Sequence, residues 1–170
     1  MIALAMGGSG SGKSAWAEAL IARAPRKNRV YIATMRPTAD AQARIARHRA
    51  QRAGLGFETL ECPQDIGSLR LPPDCAALVE DIPNLLANEM YGGGDWRRIL
   101  PGLEALARRC GTLVLVTGDV FRDGLTYDES TREYRTRLAD INSSLAALAD
   151  AVIEVVYSIP VPVKGELPCV

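Results

Sequence analysis

The sequence is short of the features that would tie it to a special environment. Lys plus Arg and Asp plus Glu balance at 20 each, so no overall field draws the chain to nucleic acid or to an anionic membrane. The four cysteines, Cys62, Cys75, Cys110 and Cys169, form no Cys-x-x-Cys pair and no metal-ligand spacing. Reduced, unpaired thiols are the expectation. No apolar run approaches the roughly 20 residues needed to span a bilayer. The apolar opening Met1 to Met6 runs into glycines without the basic flank of a signal peptide. These absences point to a cytoplasmic protein with neither a nucleic-acid partner nor a membrane span. Histidine is scarcest: His48 stands alone.

What is present reads as an ordinary globular chain. Apolar residues make up 48% of 170 residues, enough for one substantial core and too short a chain for two comfortable ones. The expectation is a single nucleotide-binding domain over residues 1–170, with 160–170 an extended tail carrying prolines. Short apolar runs recur at Ile2 to Met6, Arg29 to Met35, Ala76 to Val79, Thr112 to Thr117 and Val152 to Tyr157. Their near-continuous apolar character suits strands covered on both faces. Between them, Lys13 to Ala24, Ala39 to Ala53, Asp95 to Arg109 and Ser130 to Ala149 have helical spacing. The alternation predicts an α/β fold, a mainly parallel P-loop NTPase-like (RecA-like) sheet flanked by helices.

The chemistry starts at the first turn. Gly7-Gly8-Ser9-Gly10-Ser11-Gly12-Lys13-Ser14 matches G-x-x-x-x-G-K-[ST] in full, with an apolar strand before it and a helical stretch after it. Such a loop aims backbone N–H groups at phosphate oxygens and adds the positive end of the following helix. Lys13 is placed to reach the β and γ phosphates, and Ser14 to ligate magnesium. After the strand Ala76 to Val79 come Glu80 and Asp81, where a metal-coordinating carboxylate belongs; an ordinary polar strand end is the alternative. Either carboxylate could hold magnesium, directly or through water, with Asp81 the metal candidate beside Ser14.

His48 lies four residues after Arg44 and four before Arg52, so one row of a helix would carry three potential cations. Like charges so close disfavour imidazolium and leave a neutral imidazole able to attack phosphorus. The arginines could pair with a triphosphate. On these grounds alone a structural histidine on a solvated basic face stays open.

At this point the chain resembles the bifunctional adenosylcobinamide kinase/adenosylcobinamide-phosphate guanylyltransferase family. The matching pieces, in family order, are GGSGSGKS, YIATM at Tyr31 to Met35, RIARHR at Arg44 to Arg49, LEC at Leu60 to Cys62, LVED at Leu78 to Asp81, NLLANEM at Asn84 to Met90, LVLVTGDV, and NSSLAALAD followed by VIEVV. The resemblance implies that His48 takes GMP from GTP as a covalent intermediate. It implies guanine-nucleotide contacts from Gly7 to Ser14, from Ile32, Ala33 and Thr34, from Arg49, Ala50, Gln51 and Arg52, and from Glu61 and Glu80. Adenosylcobinamide or its phosphate is then the acceptor. GTP is the nucleotide, with ATP a possible donor for the kinase step, Mg2+ the metal, and a homo-oligomer, possibly a trimer, the assembly.

The sequence departs from the family where many members read T-N-E-V and F-R-D-x-x-G. Here Gly118 and Asp119 follow Thr117, and Tyr134-Arg135-Thr136-Arg137-Leu138-Ala139 stands in the later helix. These changes bear on the acceptor or the kinase step more than on guanylylation. The competing readings are a P-loop kinase of another small metabolite, with His48 structural, and a GTP-dependent binding switch. The switch is disfavoured because no Asn-Lys-x-Asp guanine-reading motif occurs.

Overall fold

In the computed structural model the described residues are 1–36, 46, 50, 54–121 and 124–168. Seven strands form one sheet in the order β3-β2-β4-β5-β1-β6-β7. They are β1 Ile2–Met6, β2 Arg29–Ala33, β3 Phe57–Glu61, β4 Ala76–Glu80, β5 Thr112–Val116, β6 Ala151–Val156 and β7 Ile159–Lys164. All neighbours run parallel except β6 and β7. Four helices of eight residues or more are described: α1 Lys13–Arg23, α2 Ile82–Tyr91, α3 Ile99–Ala107 and α4 Glu129–Leu148.

The two faces of the sheet follow from the period of two along each strand. Ala3, Ala5, Tyr31, Ala76, Leu78, Val114 and Val116 point to one side, against Ala17, Leu20 and Ile21 of α1. Leu4, Val30, Ile32, Ala77, Val79, Leu113 and Leu115 point to the other, against α2, α3 and α4 through Leu85, Leu86, Leu103, Leu106, Leu138 and Leu145. The alanines on the first side let α1 lie close to the strand ends, which sets the height of the loop feeding it. Burial on both sides explains why the central strands read as continuous apolar runs.

The five expected strands and the expected helices at Lys13 to Ala24 and Ser130 to Ala149 are present, with shifts of a residue or two at their ends. Four elements differ in kind. Residues Asp95 to Arg109 do not make one helix: Asp95 caps a 3-10 turn, Trp96–Arg98, and α3 starts at Ile99. Pro101 falls in the first turn of α3, where its missing N–H breaks no intrahelical bond. Helix α2 was hidden behind the acidic pair: the Asp81 carboxylate accepts from Asn84 N at 2.8 Å, and Pro83 sits in the opening turn. In the expected tail, Ile159–Lys164 pairs antiparallel with β6. Pro160 and Pro162 are tolerated because β7 is an edge strand. Strand β3 also lies at an edge, and its half-exposed FETLE pattern lacks the apolar run of the central strands.

The expected helix Ala39 to Ala53 falls largely outside the described residues. Ala46 and Ala50 within it are helical and exposed.

Candidate nucleotide-binding site

Parallel strands put all their carboxyl ends on one edge, and loops there form the ligand crevice of an open α/β sheet. The glycine-rich loop leaves β1 at that edge. Gly12, at φ 92°, turns the chain into α1 and gives it no side-chain cap. The N–H groups of the first turn and the positive end of the helix dipole are therefore left without a side-chain cap, an arrangement suited to an anion. A Cβ at Gly12 would sit 2.5 Å from Ser158 Oγ, and one at Gly7 would sit 2.6 Å from the Val155 carbonyl oxygen. Glycine is thus required at both ends of the loop by space as well as by dihedral angle. Lys13 folds back over the loop, its Nζ donating to the Gly8 carbonyl at 3.2 Å.

The loop meets the acidic strand end through one short bond. Ser14 Oγ donates to Glu80 Oε1 at 2.7 Å. Burial pushes the Glu80 carboxyl up to about 7; the Ser14 bond and Lys13 oppose this, while Asp81 and Glu18 add to it. Glu80 Oε2 and Ser11 Oγ are buried without a hydrogen-bond partner. Leaving such atoms unpaired costs about 1–3 kcal/mol each, so two oxygens in the cradle lack partners that a bound ligand could supply.

Thr34 holds the strand end in place. Fully buried, it donates from Oγ1 to the Asp81 carbonyl at 2.8 Å and accepts from Asp81 N at 2.7 Å, while its own N–H reaches the Glu80 carbonyl at 3.0 Å. Asn88 Nδ2 on α2 then donates to the Thr34 carbonyl at 2.7 Å. Ala33 is registered against Glu61 on one side and Glu80 on the other. The two carboxylates therefore flank β2 in one row at the crevice edge. Glu61 is exposed there.

The structure brings together the residues Gly7 to Ser14, Thr34, Glu80 and Asp81. It also qualifies two roles. The Ile32 side chain is fully buried in the core shared with α2 to α4, so only its backbone is available to a nucleotide. One Asp81 oxygen is already occupied in capping α2. Ala50 is an exposed helical residue, while His48, Arg49, Gln51 and Arg52 lie outside the described residues. Sequence reasoning missed the β6–β7 turn, whose Ser158 N donates to the Ser11 carbonyl at 2.7 Å. The only signal was proline-rich chain after β6, which read as a tail.

Residues 3–163 match the family described as cobinamide kinase / cobinamide phosphate guanyltransferase. The chain belongs to this family. It is 33% identical to the bifunctional adenosylcobalamin biosynthesis protein CobU of Salmonella typhimurium, over 96% of this chain and 100% of that protein. It is 30% identical to the CobP protein of Pseudomonas aeruginosa, over 96% of this chain and 97% of that one. Among solved structures it resembles the flagellar accessory protein FlaH of Methanocaldococcus jannaschii, with TM-score 0.54, 12% identity and coverage of 97% of this chain and 78% of that one. A Pyrococcus horikoshii OT3 structure gives TM-score 0.51 at 10% identity, covering 96% of this chain and 86% of that one. At those identities the structures speak for the fold alone. Membership identifies an enzyme of the kinase/guanyltransferase family whose substrate is a nucleotide. No described helix is long and apolar enough to cross a membrane.

Proposed function

We propose that this enzyme phosphorylates adenosylcobinamide and then transfers GMP from GTP to the resulting phosphate, through a GMP–histidine intermediate at His48. The observation that carries the nucleotide chemistry is the contact of Ser14 with Glu80 at the mouth of an uncapped α1. In the kinase step the acceptor hydroxyl oxygen attacks the γ-phosphorus of GTP or ATP, the bond to the β–γ bridging oxygen breaks, and the nucleoside diphosphate leaves. Lys13 and the loop N–H groups stabilise charge on the transferring phosphate. In the second step a His48 ring nitrogen attacks the α-phosphorus of GTP and pyrophosphate leaves into the same loop. A phosphate oxygen of the acceptor then displaces His48. Dividing the transfer keeps two multiply charged phosphates from meeting directly.

The donor set fits magnesium. The Ser14 hydroxyl and a buried carboxylate with an unpartnered oxygen are hard oxygen ligands of the kind Mg2+ takes alongside phosphate oxygens. When bound, the ion supplies Lewis-acid charge neutralisation on the phosphates. Ser14 would hold it directly, with Glu80 or the second Asp81 oxygen completing the protein's share. Ala33, Thr34 and Glu61 border the guanosine on the β2–β3 side, with Arg49, Ala50, Gln51 and Arg52 following His48. We place the enzyme in the cytoplasm as a homo-oligomer, with a trimer the expected assembly.

The test is incubation with adenosylcobinamide, Mg2+ and GTP, followed by mass spectrometry of the corrinoid. The phosphate and then the GDP-linked product are expected. A corrinoid that returns unmodified, from protein that binds GTP, would point to a kinase of another metabolite.

A further inference from the structure

The kinase reading leaves the nucleobase of the phosphoryl donor without a seat, and the β6–β7 turn is built beside the loop where that donor lies. Tyr157 and Ser158 form the turn, with φ of 49° and 66°. Two-residue turns of this kind favour Asn-Gly or Asp-Gly, because most side chains strain at positive φ. A tyrosine is an uncommon choice there. It also packs on little, being 90% exposed. The fold therefore gains little from its ring.

The next residue is fixed to the phosphate loop. Ser158 N donates to the Ser11 carbonyl at 2.7 Å, and a Cβ on Gly12 would lie 3.1 Å from Ser158 Cα. Trp16, one turn into α1, packs against the cluster of Ala151, Ile153 and Val155 on β6. Loop, helix start and hairpin are thus packed together, with an exposed aromatic ring one residue from the clamp.

Sheet order gives the direction. In the proposed function Ser14 and Glu80 hold the metal and γ-phosphate end of the cradle; Ser14 bonds Glu80, which ends β4, on the β5 side of β1. The hairpin lies on the opposite side, beyond β6. A triphosphate whose γ-phosphate faces Ser14 and Glu80 carries its nucleoside away from them, toward the hairpin. We propose that Tyr157 is the stacking platform for the purine of the kinase donor. The guanosine of the guanylylation step occupies the other side, along β2 and β3. One phosphate loop thereby serves two nucleotides pointing in opposite directions. This rests on the kinase half of the proposed function.

Calorimetric titration of the full-length protein with Mg·ATP and with inorganic tripolyphosphate tests it. Tyr157→Asn keeps a residue that tolerates positive φ and removes the ring; Tyr157→Phe keeps the ring. Loss of a base–aromatic stack should weaken ATP about tenfold in Tyr157→Asn. Tyr157→Phe should stay within about twofold of the parent, and tripolyphosphate, which has no base, should bind all three alike. Unchanged ATP affinity in Tyr157→Asn would overturn the proposal. So would an equal loss for tripolyphosphate, which would assign the turn to supporting the loop. Phosphate transfer to adenosylcobinamide by the parent protein is scored separately, so failure of the kinase reading is distinct from failure of the platform.

Discussion

Glu80 gives a stability prediction whose sign depends on pH. Burial disfavours its anion and pushes the folded carboxyl up to about 7, against an ordinary value of 4.5. A raised carboxylate pKa means that the folded state holds a proton that the unfolded chain has already released between those two values. Stability therefore falls as pH rises from about 4.5 to about 7, and is level above that. The shift corresponds to about 3 kcal/mol of penalty at pH 8. Glu80→Gln keeps an acceptor for the Ser14 hydroxyl and removes the charge. Urea unfolding should show the two proteins close together at pH 5 and the variant more stable by about 3 kcal/mol at pH 8. For a chain of this size that amounts to roughly 10 °C in Tm. Saturating Mg2+ and GTP should narrow the gap, since a cation on the carboxylate repays its desolvation in the parent alone. A stability difference that is the same at pH 5 and pH 8, or that favours the parent at pH 8, would refute the reasoning.

Other consequences are more direct. Lys13→Ala should lower phosphate transfer on the order of 100-fold or more, the scale seen when one charge-stabilising donor is lost, with the unfolding midpoint little changed. Gly12→Ala forces a left-handed conformation on a residue with a Cβ, costing about 1–2 kcal/mol, and pushes against Ser158. Its Tm should fall and its nucleotide affinity should fall with it. Burial raises the thiols of Cys62 to about 11 and of Cys110 to about 12, and also raises Cys75. These three should resist iodoacetamide at pH 8 in the folded protein and react once it is unfolded in urea, as counted by mass spectrometry.

The central strands could be read from the sequence because burial on both faces writes an unbroken apolar run, as in Leu113 to Val116. The edges could not. Strand β3 alternates and is half exposed, and β7 carries two prolines that only an unpaired flank permits. Helix α2 was obscured because Asp81 looks like a metal ligand in the sequence while it also works as a helix cap. At the site, the phosphate loop was fully legible, since glycine spacing and the Lys-Ser pair record the geometry directly. The bond from Ser14 to Glu80 was not, because 66 positions separate the two. Glu61 had no local signal at all; its place across β2 from Glu80 depends on the register of β2 with both neighbours.

His48 is the residue on which the second reaction depends. Intact-mass and peptide analysis after incubation with GTP and Mg2+, without acceptor, tests it most directly. The account predicts a mass gain of one GMP on the peptide carrying His48, labile in acid and absent from His48→Ala. A GMP adduct that persists in His48→Ala, or guanylyl transfer to the corrinoid phosphate by that variant at the parent rate, would contradict it.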